Sequence, residues 1–150
     1  MILESLLAYV HILAILTLVV FLSSEAALCR PEWMNAKVVE RLVTVDRVYG
    51  IEAGVLFLTG LARIYLGSKG ASWYWGNWLL HVKITLFVVV GLLSIRPTLR
   101  FGQWRRALRS TGALPADDQV RKVRKLVMAQ AHIVPLIPLA AVFLARGFGS

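Results

Sequence analysis

The sequence has a single cysteine, Cys29, which excludes an intramolecular disulfide and a cysteine-based metal cluster within one chain. It is also poor in charge. Only 17% of its 150 residues are Asp, Glu, Lys or Arg, while 58% are hydrophobic and the mean hydropathy is +0.69. Acids are the scarcer sign, 8 against 17 basic residues, for a formal net charge of +9. No polar low-complexity run is long enough for a disordered tail, and little chain is left over for a second folded domain. The opening Met-Ile-Leu-Glu lacks the basic region of a signal peptide, so the first apolar run is expected to be retained. Cys29 follows Leu28 where a lipoprotein site needs a small residue, which argues against lipidation.

Charge is missing in blocks. Residues 5–24 and 126–145 carry none, 48–62 carry only Glu52, and 70–95 carry only Lys83. A bilayer core takes roughly 20 apolar residues to cross, and these runs reach that length outright or with one charge tolerated. The fold class expected is therefore an all-α integral membrane four-helix bundle forming one domain over residues 1–150, with antiparallel neighbours. Its helices are predicted at 3–25, 36–67, 75–96 and 117–146.

The basic residues give an orientation. Arg30, Lys37, Arg41 and Arg47 lie in one connection; Arg96, Arg100, Arg105, Arg106, Arg109, Arg121, Lys122, Arg124 and Lys125 lie in another. By the positive-inside rule that side is cytoplasmic, both termini face the periplasm or the exterior, and the setting is a bacterial inner membrane. The same excess suits anionic lipid headgroups as partners, and no nucleic acid is expected. Asn35 suits an N-cap ahead of Val38, Val39, Leu42 and Val45, and Pro115, Asp117 and Asp118 suit the start of the last helix. Between them, Leu99, Trp104 and Leu108 among arginines suggest an amphipathic interfacial connection, or else a basic solvated loop. Trp73-Tyr74-Trp75-Gly76-Asn77-Trp78 reads as an aromatic belt at headgroup level before it reads as a ligand platform.

Ionisable groups inside a membrane are expensive, so each is a functional candidate by default. His11 and His81 both fall about 9 Å below the outer ends of their helices, with Lys83 beside the second. Glu25, Glu52, Arg63, Gln130 and His132 complete the intramembrane polar set. Glu4, His11, Leu18 and Glu25 recur at seven-residue steps, and Glu52, Thr59 and Arg63 return to one face of the second helix. Each has a structural alternative. The two histidines can bond across helices, Lys83 can snorkel outward, Glu52 can pair with His132 or an arginine, and His132 can serve carbonyls freed by Pro135 and Pro138. Gly50, Ala53, Gly54 and Gly60 make the second helix suited to a close contact, and a homo-oligomer is expected.

Ala8-Tyr9-Val10-His11, Asp46-Arg47-Val48-Tyr49-Gly50, Trp78-Leu79-Leu80-His81-Val82-Lys83, the run Leu92 to Phe101 and the terminal Leu144-Ala145-Arg146-Gly147 together resemble a bacterial family of four-helix membrane proteins of unknown function. The resemblance covers nearly the whole chain and implies a fold. More distantly, the histidine of the first helix and the Trp-Leu-x-His-x-Lys pattern are similar to the HemJ protoporphyrinogen oxidases and the CopD copper-resistance membrane domain. That resemblance implies haem b on His11 and His81, with Lys83 near a carboxylate of the porphyrin. Met128 to Pro135 departs from the oxidases' Arg-x-x-Asn-Glu-x-Pro pattern. The sequence thus favours a haem-b-binding redox or porphyrin-related protein with a His11/His81 site in the outer half of the membrane, with a non-enzymatic transport or channel subunit, or a lipid-interacting scaffold, as the alternatives.

Overall fold

The computed structural model describes residues 1–149. It is built of helices α1 (Ile2–Leu28), α2 (Ala36–Leu66), α3 (Ala71–Gly76), α4 (Trp78–Thr111), α5 (Asp117–Ile133) and α6 (Leu136–Ala145), with a 3-10 turn at Pro31–Trp33. Four spans are long and apolar enough to cross a membrane: α1, α2, α4, and α5 with α6. Within their most apolar stretches only 17 to 28% of residues are buried, as expected of helices whose outward faces meet lipid.

Polar contacts fix the antiparallel order. Down the α1/α2 seam run Glu4 to Ser68 and His11 to Thr59, and at the far end Arg124 of α5 donates to the carbonyls of Ala26 and Cys29. α2 and α4 meet through the stacked rings of Phe57 and Phe87, 5.9 Å apart, and farther along through Asp46 and Thr98. α1 packs on α2 and α5, and α4 packs on α2, α5 and α6, so α1 and α4 stand across a diagonal. One end of the bundle holds both termini and the α2–α4 connection and is called the terminal end below. The opposite end carries most of the arginines and is called the basic end.

The helix boundaries depart from expectation in three places. α4 does not stop at residue 96: it runs through Pro97 to Thr111, and what was expected as a separate amphipathic connection is its continuation. Pro97 gives up one backbone hydrogen bond, but Pro97, Phe101 and Trp104 form one buried stripe at i, i+4 and i+7, and Leu108 extends it half-buried. Leu99, read from the sequence as part of the apolar face, is exposed. The helix ends where Gly112 takes φ 71° and returns its N–H to the Leu108 carbonyl, a left-handed cap that glycine adopts without strain. Near the other end, α4 starts at Trp78 because Asn77 caps it, its Oδ1 accepting from Leu79 N at 2.9 Å, while Trp73, Tyr74 and Trp75 fold into the short α3. The last span breaks at Val134–Pro135, where Pro135 lacks the N–H that Ala131 needs. The Val134 carbonyl is recovered by Ile137 N at 3.1 Å.

The tightest packing lies toward the basic end. Val39, Leu42, Phe101, Trp104, Val120 and Val123 are all buried there, with the Trp104 ring edge-on to Phe101 at 5.6 Å. The 34 residues of α4 rise about 51 Å against a hydrocarbon core of about 30 Å, and the charges along 96–125 cannot lie in lipid. This part of the bundle therefore projects into water and has a soluble protein's core. On α2, Gly60 backs onto the His11 ring, 3.5 Å from where a Cβ would stand, whereas Gly50 and Gly54 face open space. Within the chain, then, Gly60 is where α2 uses a glycine for close approach to a neighbouring helix.

Candidate functional site

The sequence places one acid in the middle of an otherwise apolar stripe: Leu42, Val45, Asp46 and Tyr49 all point inward from α2. Glu25 is buried in the last turns of α1, at 1% exposure, because the seven-residue stripe His11, Leu18, Glu25 faces the bundle. The two buried carboxyl groups are close enough to act on each other. Around them, the Thr98 hydroxyl of α4 donates to Asp46 Oδ1 at 3.1 Å, and the Tyr49 hydroxyl donates to Gln130 Oε1 of α5 at 2.9 Å. Gln130 is wholly buried and returns its Nε2 to the Leu126 carbonyl at 3.3 Å. Every membrane-crossing segment therefore contributes a polar side chain to one level of the bundle, just inside its basic end.

Two features give this cluster chemical meaning. First, two carboxylates brought together in apolar surroundings repel each other, so a proton bound by the pair relieves it. Second, the pair's charge has no ion-pair partner: among the described residues the ion pair is Arg109 to Glu40, at 2.9 Å on the surface of the basic end. Glu25 Oε1 is buried without a hydrogen-bond partner. An isolated carboxylate in such surroundings is costly, and the ways to relieve it are to bind a proton or a small cation. The donors are all oxygens (carboxyl, hydroxyl, phenol and amide), a set suited to protons and hard cations and unsuited to soft metals. No group of three or more metal-ligating side chains occurs among the described residues.

Cys29 adjoins the cluster just beyond α1. Its thiol points at the Val120 carbonyl, 3.8 Å away, and burial pushes it up to about 12, beyond the reach of ordinary thiolate chemistry.

The other polar residues fall elsewhere. His11 is buried and bonded through Nδ1 to Thr59 Oγ1 at 2.8 Å. Because the Thr59 hydroxyl proton goes to the Val55 carbonyl at 2.8 Å, Nδ1 is the donor to Thr59 and Nε2 keeps its lone pair. His81 is exposed, and its Nε2–H donates to the Trp75 carbonyl at 2.9 Å. The two imidazoles, on diagonal helices, are not brought into one pocket. Lys83 and Arg63 are close enough to act electrostatically on His11, and Arg63 on Lys83. Glu52 is half-buried on α2 with no hydrogen bond or ion pair among the described residues. The pairing expected for it with His132 is not formed: His132 is exposed, and its Nδ1–H donates to the Met128 carbonyl of its own helix at 2.6 Å. Two open surface hollows, about 350 and 630 Å³, are bordered by Arg121, Arg124 and Met128 and by Lys37, Glu40 and Arg109; neither touches a histidine.

Of the cluster, sequence reasoning singled out Glu25 and Gln130 and missed Asp46, Tyr49 and Thr98. The available signal was Asp46 itself, an acid on the apolar stripe of α2 at the level that antiparallel pairing gives to Glu25.

No curated protein and no solved structure matches the chain. A family model described as "Predicted membrane protein (DUF2214)" matches residues 3–149, nearly the full length of a chain with four apolar spans, and the protein belongs to that family.

Proposed function

We propose that the protein is a non-enzymatic proton-handling membrane protein whose exchange site is the Glu25–Asp46 carboxyl pair. The observation that carries this reading is the burial of two carboxyls, from different spans, with no basic partner among the described residues and with Glu25 Oε1 unpartnered. Such a pair takes up and releases one proton at little structural cost, because the Thr98 hydroxyl is already placed to donate to Asp46 Oδ1. The site lies beside the arginine-rich end, which by the positive-inside bias faces the cytoplasm of a bacterial inner membrane. On a proton's way across the membrane the pair is then the station nearer the cytoplasm.

Protein reconstituted in liposomes loaded with a pH-sensitive dye, and driven by a potassium diffusion potential, should acidify or alkalinise the lumen faster than empty liposomes. Glu25→Gln with Asp46→Asn should lower that rate roughly tenfold or more, the effect expected for removal of a positioned proton-transfer group. In the infrared, the wild type should show the carbonyl band of a protonated carboxyl that the double variant lacks. Wild-type flux equal to that of empty liposomes would end this reading.

A second reading places haem b on His11, and its support is the Nδ1-protonated tautomer that Thr59 imposes, which leaves Nε2 free as an axial ligand. His81 is then not the second ligand, since its ring is exposed and its Nε2 is engaged by Trp75. The same purified protein, expressed with sufficient haem, decides between the two: a Soret band lost in His11→Ala supports haem, and colourless protein removes it.

A further inference from the structure

Near the terminal end, Ile64 of α2 packs with Leu79 and Leu80 of α4 in a small core, with Leu61 and Ile84 against it. Their neighbours Arg63 and Lys83 are thereby held at one level of the α2–α4 seam. Arg63 lies one turn beyond Thr59, which faces His11, and Lys83 lies one turn beyond the buried Leu79, so both cations come off the inward faces of their helices. Both are half-buried, and among the described residues neither donates a hydrogen bond nor meets a carboxylate.

No acid faces them from the surrounding elements. α3, α6 and the membrane-crossing part of α4 contain none, Glu4 of α1 is taken by the Ser68 hydroxyl at 3.2 Å, and Glu52 lies three turns farther along α2. Two like charges within electrostatic reach of each other in an apolar seam repel, and an anion between them relieves the repulsion.

We propose that Arg63 and Lys83 together hold the phosphate of an anionic phospholipid from the leaflet at the terminal end. Depth argues for a lipid over a free ion. Arg63 is about 5 Å, and Lys83 about 8 Å, inside the ends of their helices, so their long side chains reach headgroup level. The surface around them is hydrocarbon-like, with Leu58, Tyr65 and Leu66 of α2 and Trp78 of α4 exposed. A phospholipid offers one phosphate to the cations and acyl chains to that surface, whereas inorganic phosphate leaves its other oxygens against apolar side chains. The His11–Thr59 pair lies below as the polar floor of the seam. This inference does not depend on proton exchange at the opposite end of the bundle.

The test is native mass spectrometry of the detergent-purified full chain with phosphatidylglycerol, phosphatidylcholine or inorganic phosphate added. Wild type should retain phosphatidylglycerol under activation that strips phosphatidylcholine. Arg63→Gln with Lys83→Met should lower that retained fraction roughly tenfold or more, as expected for losing two cations at headgroup level. Arg105→Gln with Arg106→Gln, at the far end, should leave it in place. Equal retention by the Arg63/Lys83 variant would overturn the proposal, and so would displacement of the lipid by inorganic phosphate at equal concentration. Should that variant fail to fold, the single variants decide the matter: wild type should melt at a higher temperature in phosphatidylglycerol than in phosphatidylcholine, Arg63→Lys should keep the difference, and Lys83→Met should narrow it where Arg105→Gln does not. No difference between the two lipids overturns the proposal.

Discussion

Phe101→Ala is expected to lower the free energy of unfolding by about 3–5 kcal/mol, the range for removing a fully buried aromatic side chain. Phe101 is 1% exposed and packs against the Trp104 ring in the part of the bundle that projects beyond lipid. Its burial is measured against water, so the transfer term applies in full and the cavity adds to it. A residue such as Val90, buried within the membrane, moves on unfolding into acyl chains as apolar as its native site, and its truncation costs packing alone. Reversible denaturant titration in mixed micelles measures both. A loss at Phe101 no larger than that for Val90→Ala would mean that the basic end is not a water-surrounded core.

The second large effect is expected at Gln130. Gln130→Leu leaves the Tyr49 hydroxyl buried without its acceptor, 2.9 Å away in the native protein, and removes the bond to the Leu126 carbonyl. An unsatisfied buried polar group costs about 1–3 kcal/mol. Tyr49→Phe alone should cost less, since the Gln130 amide keeps its bond to Leu126. The double variant should then be more stable than the two single losses added together, because replacing both partners by apolar groups removes the orphan. Strict additivity in the same titration would show that the two side chains are not coupled.

The lipid-crossing part of the fold was legible in the sequence because the rule behind it is simple: charge is absent wherever the chain meets hydrocarbon. The starts of α2 and α5 were legible for a similar reason, since Asn35 and the pair Asp117 and Asp118 act locally on their own helix ends. Pro97 was misleading. A proline usually marks a boundary, yet here tertiary packing of Phe101 and Trp104 outweighs the lost backbone bond, and packing cannot be read from one helix alone. The carboxyl pair was half legible. Glu25 stood out in an apolar run, while Asp46 sat next to Arg47 and looked like part of an ordinary charged connection. What distinguishes it is the face of α2 it occupies, which depends on where α1 and α4 pack. His81 was misplaced for the opposite reason: equal depth with His11 suggested a shared pocket, but the short α3 turns the Trp75 carbonyl toward it and gives the imidazole a local partner.

Cys29 has no exposed surface, sits where α1, α2 and α5 converge, and donates into the backbone of α5. As the chain's one thiol, it makes the protein its own footprinting probe. A maleimide reaches it only when the basic end opens, so the labelling rate reports the free energy of that opening without an engineered cysteine or a spectroscopic tag. Because the spans on the far side of the carboxyl pair contain no thiol, the modification is blind to fraying near the termini and reads the water-exposed half of the bundle by itself.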